Sequence, residues 1–246
     1  MMENKAGLVS ISFRKHTPQE LAAEAARCGL GMIEWGGDVH APAGDVAVAE
    51  AVKNFTQNAG LQCPTYGSYF RLGAMPEGEE AKVAASAKVL GSNIIRVWGG
   101  VKGSAELTEE EYKALVAAAR KTCRELKDFT VALECHMNTV TDDYNYSLRF
   151  LNDVAEDHRA MYWQPHQFKT TEYNLQAAKA LAPYVKNVHV FHWRERNRFP
   201  LAGEVDLWKR YAEIIGTDVP YMLEFMPDDR LETLEAEAKA LLEILK

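Results

Sequence analysis

Two glutamates and a histidine stand at or near the ends of short apolar runs. Glu134 closes 130–134, Glu224 follows Leu223 within 220–225, and His192 closes 187–192. A carboxylate at the end of an apolar strand is costly to bury unless a cation or hydrogen bonds compensate it, so the two glutamates imply a positive partner. With the imidazole of His192 and the side-chain oxygen of Gln164, they make a mixed O/N donor set suited to a divalent metal ion: Mn²⁺, Mg²⁺, Co²⁺ or Zn²⁺. The chemistry open to such a set is removal of a proton from carbon beside a carbonyl, which a carboxylate cannot do unless the developing oxyanion is stabilised.

These residues need elements to bring them together. Eight β-type runs are predicted at 8–13, 31–35, 62–66, 93–98, 130–134, 160–164, 187–192 and 220–225. Helical stretches alternate with them. One covers 18–28, opened by Thr17 with Glu20 three residues on and Pro18 at the first helical position. Another opens at Thr108, with Glu109 and Glu111, and runs towards Leu126; a terminal helix spans 231–246. Sharing 246 residues among eight units gives about 31 each, the spacing of parallel strands joined by crossover helices. No Ser/Pro/Gly-rich linker interrupts the order, so the expectation is one domain over 1–246, a single (β/α)8 TIM barrel of the α/β class. A doubly wound sheet is the main competitor, but the first strand ends Ser12-Phe13-Arg14-Lys15-His16, with no glycine for a phosphate turn.

In such barrels the active site forms at the C-terminal strand ends. Alternation along a strand sorts the side chains there. If Glu134 points inward, His136 does too and Cys135 faces the helices. His192 shares a face with Val190, which sends His189 behind the strand. Leu223 and Phe225 suit the helix side and leave Glu224 inside. Arg96, Arg194 and Arg198 are placed to fix hydroxyl, carboxylate or phosphate groups. Trp35, Tyr66, Tyr69 and Trp98 are placed to wall a pocket. Glu34 is read either as a substrate contact or as a structural partner of Arg96.

Lys and Arg number 28 against 35 Asp and Glu, a net charge of −7 that disfavours a nucleic-acid partner. No window approaches the roughly 18–20 apolar residues of a membrane span. The segment 1–7 is too short and polar for a signal peptide, and the four scattered cysteines read as reduced thiols. A cytoplasmic protein acting on a small molecule is expected, and a homo-oligomer is compatible with the sequence.

The order Glu on strand five, a polar ligand on strand six, His in the run His-Val-Phe-His-Trp-Arg on strand seven and Glu on strand eight resembles the xylose isomerase-like barrels. These include sugar-phosphate isomerases and epimerases, ketose 3-epimerases and inositol-catabolism enzymes. The segment 29–38, Gly-Leu-Gly-Met-Ile-Glu-Trp-Gly-Gly-Asp, also resembles the second-strand signature of uncharacterised members. The resemblance spans essentially the whole chain; it is specific for the superfamily and weak for substrate. It implies that Glu134, His192 and Glu224 are metal ligands, with the glutamates as acid and base on opposite faces of a sugar. It further implies a strand-six ligand, usually Asp, at Gln164, whose neutral amide would hold a divalent ion less tightly, and a substrate-binding His at His166. The function expected is a metal-dependent isomerase or epimerase of a small sugar or sugar derivative, working through an enediolate. The alternatives are a dehydratase of the same superfamily and a non-catalytic sugar-binding barrel with a weakened metal site. An abasic-site endonuclease shares the barrel, but the charge and the lack of a His-rich cluster set it lower.

Overall fold

In the computed structural model, which describes residues 4–246, eight parallel strands close into a barrel. They are β1 (Ala6–Val9), β2 (Met32–Gly36), β3 (Thr65–Arg71), β4 (Ile94–Trp98), β5 (Thr130–Glu134), β6 (Arg159–Trp163), β7 (Val185–Val190) and β8 (Tyr221–Leu223). The helices are α1 (Pro18–Arg27), α2 (Val46–Asn58), α3 (Glu79–Leu90), α4 (Glu109–Glu125), α5 (Tyr144–Val154), α6 (Thr171–Leu181), α7 (Val205–Ile215) and α8 (Leu234–Ile244), one after each strand. The (β/α)8 architecture is the expected one. β1 closes the ring by pairing with both β2 and β8, so that Gly7 lies opposite Met32 and Met222. A Cβ on Gly7 would stand 2.2 Å from the Met222 sulfur, and the absence of a side chain lets the two methionines fill the barrel floor.

Local chemistry sets the helix starts. Thr17 with Glu20, and Thr108 with Glu111, form reciprocal capping boxes that satisfy otherwise orphaned N–H groups. Among the described residues, no helix is long and apolar enough to cross a membrane.

The main apolar core lies between strands and helices, where Trp163 packs edge-on to Trp208 and beside Tyr211 of α7. Among the described residues, the inside of the barrel holds two small apolar clusters. One holds Val9, Ile11, Met32 and Met222, the other Ala132, Ala160 and Tyr162. The remaining interior is polar, an arrangement that asks for a reason, since unpaired buried polar groups are costly.

Two strand boundaries differ from the sequence expectation in ways that matter. β1 gives way after Val9 to a 3-10 turn over Ser10–Phe13. β7 ends at Val190, so His192 is not on the barrel strand. Met222 of β8 is paired with His189, and Tyr221 with Val188. Val188 and Val190 belong to the outer core, which turns His189 to the inside and reverses the expected assignment of the two histidines.

Candidate metal centre and active site

His189 is fully buried at the upper end of the barrel, and its Nδ1 faces three oxygen donors. Gln164 Oε1 lies 3.1 Å away, Glu224 Oε2 3.5 Å and Glu134 Oε1 3.7 Å. Donors bound about 2.1 Å from one ion stand about 3.0–3.4 Å apart in octahedral or tetrahedral geometry. These spacings therefore suit a single small cation. Atoms of Glu134, His189 and Glu224 all fall within 4.8 Å of one another, the right donor chemistry for Mg²⁺, Mn²⁺ or Zn²⁺.

Charge points the same way. Glu34, Glu134 and Glu224 are each at most 4% exposed, and Arg96 is the buried guanidinium among them. With neutral His189 the group carries −2, which a divalent ion would cancel. Without one, the carboxylates push the imidazole up to about 10 against the opposing effect of burial. A cation at Nδ1 would take the place of that proton.

The two metal-side glutamates are held differently. Arg96 Nη1 and Trp98 Nε1 both donate to Glu134 Oε2, each at 2.5 Å. Burial alone would raise this carboxyl, but Arg96 first and then His189 together outweigh it and hold Glu134 well below the usual carboxylate range. Glu224 has no such clamp. Burial raises it, His189 opposes, and the charge of Glu134 pushes it further up. Gln164 is oriented by its own amide, whose Nε2 donates to the Cys135 carbonyl at 2.8 Å and leaves Oε1 facing His189.

Above these groups opens a cavity of about 300 Å³, walled by Tyr69, Trp98, Phe191, Trp193 and Phe225, with His136 and His166 among its polar lining. Two wall residues hold the backbone in the left-handed region, Tyr69 at φ 60° and Phe225 at φ 54°. That is unfavourable for bulky L-residues, by about 1–3 kcal/mol each. Tyr69 gets there through a bulge in β3, where the register with β4 shifts between Gly67 and Phe70. The result is a ring 5.0 Å from Trp98 and 5.0 Å from the Arg96 guanidinium.

Several expected site residues lie elsewhere. His192 Nδ1 donates to the Pro200 carbonyl at 2.9 Å, with Glu204 3.5 Å from its other nitrogen. Arg194 is bound to Glu204 and Arg198 to Asp229, in and beside a hairpin formed by 193–194 and 197–198. Their loop leads them away from the cavity lining, so none of the three takes the expected place. Trp35 faces the helices, fully buried, and donates to Thr56 Oγ1 at 2.9 Å; Tyr66 donates to the Ala41 carbonyl. The structure brings together Glu134, Gln164, Glu224, Arg96, His136 and His166 around the cavity, with His189 below. Sequence reasoning missed His189 as an inner residue and Arg14 at the rim, where the guanidinium contacts Asp38 and the Tyr69 hydroxyl. The alternation Asn187-Val188-His189-Val190 was the available signal for His189.

No family profile matches the chain, and no curated protein does so by sequence. Solved structures do match. The probable 3-DHS dehydratase AsbF of Bacillus anthracis, involved in petrobactin synthesis, superposes with a TM-score of 0.82 at 20% identity, covering 97% of this chain and 98% of that one. A D-psicose 3-epimerase from Clostridium cellulolyticum H10, solved with D-tagatose, gives 0.72 at 12% identity, over 98% and 99%. A xylose isomerase-like TIM barrel protein from Mycobacterium smegmatis in complex with magnesium gives 0.69 at 12%, over 95% and 90%. Identities this low establish a shared fold and leave the reaction open. The chain has the fold of the xylose isomerase-like TIM barrel proteins, a set that includes epimerases and a dehydratase.

Proposed function

We propose that this protein is a divalent-metal-dependent isomerase or epimerase of a small sugar or sugar derivative, acting by proton transfer beside a carbonyl. The observation that carries this reading is the convergence of Glu134, Gln164, His189 and Glu224 at ligand spacing beneath an aromatic-walled cavity. A bound divalent ion would supply Lewis-acid stabilisation for the negative charge that develops on the substrate oxygen. Glu224, buried and without an arginine clamp, has the raised proton affinity that suits a general base. Glu134 stands across from it as the second carboxylate of a two-sided proton transfer. The aromatic wall excludes water and offers apolar faces to the C–H side of a sugar ring.

One observation favours a second reading, a dehydratase. Arg96 and Trp98 occupy Glu134 Oε2, which leaves Glu224 as the less encumbered proton carrier. Elimination needs only one base, which takes the proton and then protonates the departing hydroxyl. The likeness to AsbF is in keeping with that reading.

The two readings separate by product mass. The Mn²⁺-loaded protein, incubated in D₂O with a panel of free ketoses, their phosphates, sugar acids and cyclic hydroxyketones, is expected to introduce deuterium without loss of water. Loss of one water from a substrate selects the dehydratase. Bound metal with neither product across the panel overturns both enzyme readings in favour of a non-catalytic sugar-binding barrel.

A further inference from the structure

Below the ligand cluster, the other face of His189 meets a third buried carboxylate. Its Nε2 lies 3.5 Å from Glu34 Oε1, and neither atom has a hydrogen-bond partner elsewhere. Both residues are 0% exposed, so water outside the barrel cannot serve them. Glu34 is nonetheless built in: Thr65 Oγ1 donates to its Oε2 at 2.9 Å, which leaves Oε1 pointing at the imidazole. Gly67 keeps the space open, because a Cβ there would stand 2.9 Å from Glu34 Oε1 and 3.2 Å from Arg96 Nη2.

We propose that Glu34 is a positioning residue for the metal centre, taking the Nε2–H of His189 so that the Nδ1 lone pair is presented to a cation shared with Glu134, Gln164 and Glu224. This rests on the metal-dependent reading above. A neutral imidazole carries one N–H and one lone pair, so whichever group accepts from Nε2 decides what Nδ1 offers. A carboxylate in that place fixes both the tautomer and the ring, and makes the nitrogen a stronger donor to metal. Glu34 has a second effect. The neutral Gln164 contributes no charge to the ligand set, and Glu34 supplies a negative charge just behind it, bringing the buried group to the −2 that a divalent ion matches.

The test is calorimetric titration of chelator-treated protein with MnCl₂, comparing the unaltered chain with Glu34→Gln, Glu34→Ala and Thr65→Val. Loss of a metal-orienting partner of this kind weakens binding about 10–100-fold, and Glu34→Ala is expected in that range. Glu34→Gln, which keeps the shape and removes the charge, is expected to bind measurably less tightly than the unaltered chain, and Thr65→Val to show the smallest loss. Visible spectra of the Co²⁺-loaded proteins give an independent readout: a reoriented His189 shifts the ligand-field bands, which a merely packing role for Glu34 would leave in place. If Glu34→Ala fails to fold, Glu34→Gln carries the test. Equal Mn²⁺ affinity and unchanged Co²⁺ bands in well-folded variants overturn the positioning role alone. Failure of the unaltered chain to bind Mn²⁺ overturns the metal-dependent reading and this inference with it.

Discussion

The β5 and β8 sides of the site present the same side chain in nearly the same burial, with Glu134 2% and Glu224 4% exposed, yet the two carboxylates are in opposite electrostatic states. Glu134 is clamped by Arg96 and Trp98 and held ionised. Among the described residues Glu224 has His189 alone within ion-pair distance, at 3.5 Å, and its proton affinity is raised. Burial is common to both and cannot be the cause. The difference comes from β4, which places one guanidinium on one side of the barrel axis. Two carboxylates with separated proton affinities are the arrangement by which one fold assigns separate ligand and acid–base roles.

Replacing each side in turn breaks this comparison. Glu224→Gln removes the proton carrier and is expected to lower solvent-deuterium exchange into substrate by about 10²–10⁴-fold. The same change relieves a buried, poorly compensated charge, so thermal melting of the metal-free protein should not fall. A variant that melts several degrees lower with exchange intact would mean that Glu224 is structural. Arg96→Met acts on the other side. It strips the clamp from Glu134 and leaves three carboxylates with His189 as their nearest cation. Breaking a buried pair in this way costs about 3–5 kcal/mol, read as a lower urea midpoint at pH 8. A midpoint within about 0.5 kcal/mol of the unaltered protein would show that the clamp does not hold the β5 side together.

The same contrast explains what could be read in the sequence. Eight strands, the barrel and the places of Glu134, Gln164 and Glu224 follow from alternation, because Leu133, Trp163 and Leu223 before them face the helices; Phe225, expected on the helix side as well, turns instead into the cavity wall. His189 obeys the same rule between Val188 and Val190. Extending strand seven to His192 sends His189 outward, because a strand end two residues too late changes which histidine is counted from. The bends at Tyr69 and Phe225 left no mark in periodicity, since neither residue type favours positive φ. Nor could pattern alone reveal the clamp: Arg96 and Glu134 are 38 residues apart and meet only through the pairing of β4 with β5. Arg194 and Arg198 look like substrate contacts in sequence, but Glu204 and Asp229 take up their charges.

A buried glutamate far from the site serves as a control for Glu134 and Glu224. Glu237 of α8 lies outside the barrel, 4% exposed, and both of its carboxylate oxygens accept from the Leu201 N–H, at 3.3 and 3.0 Å. Burial pushes it up to about 7; the Leu201 hydrogen bond opposes and Asp228 adds a little. Here burial acts without an arginine bound to the carboxylate, as at Glu224, but with no metal ligand nearby. The unfolded chain titrates near 4.5, so between there and about 7 the native state binds more protons. The stabilising contribution is complete below the lower value and is lost as pH rises through the upper one. Glu237→Gln keeps an acceptor for Leu201 and removes the charge. It is expected to match the unaltered protein near pH 4.5 and to exceed it by up to about 3 kcal/mol at pH 8, measured by urea unfolding of the metal-free proteins. Equal stability at both pH values would show that burial alone does not raise a carboxyl in this fold, and the raised state of Glu224 would then have to come from Glu134.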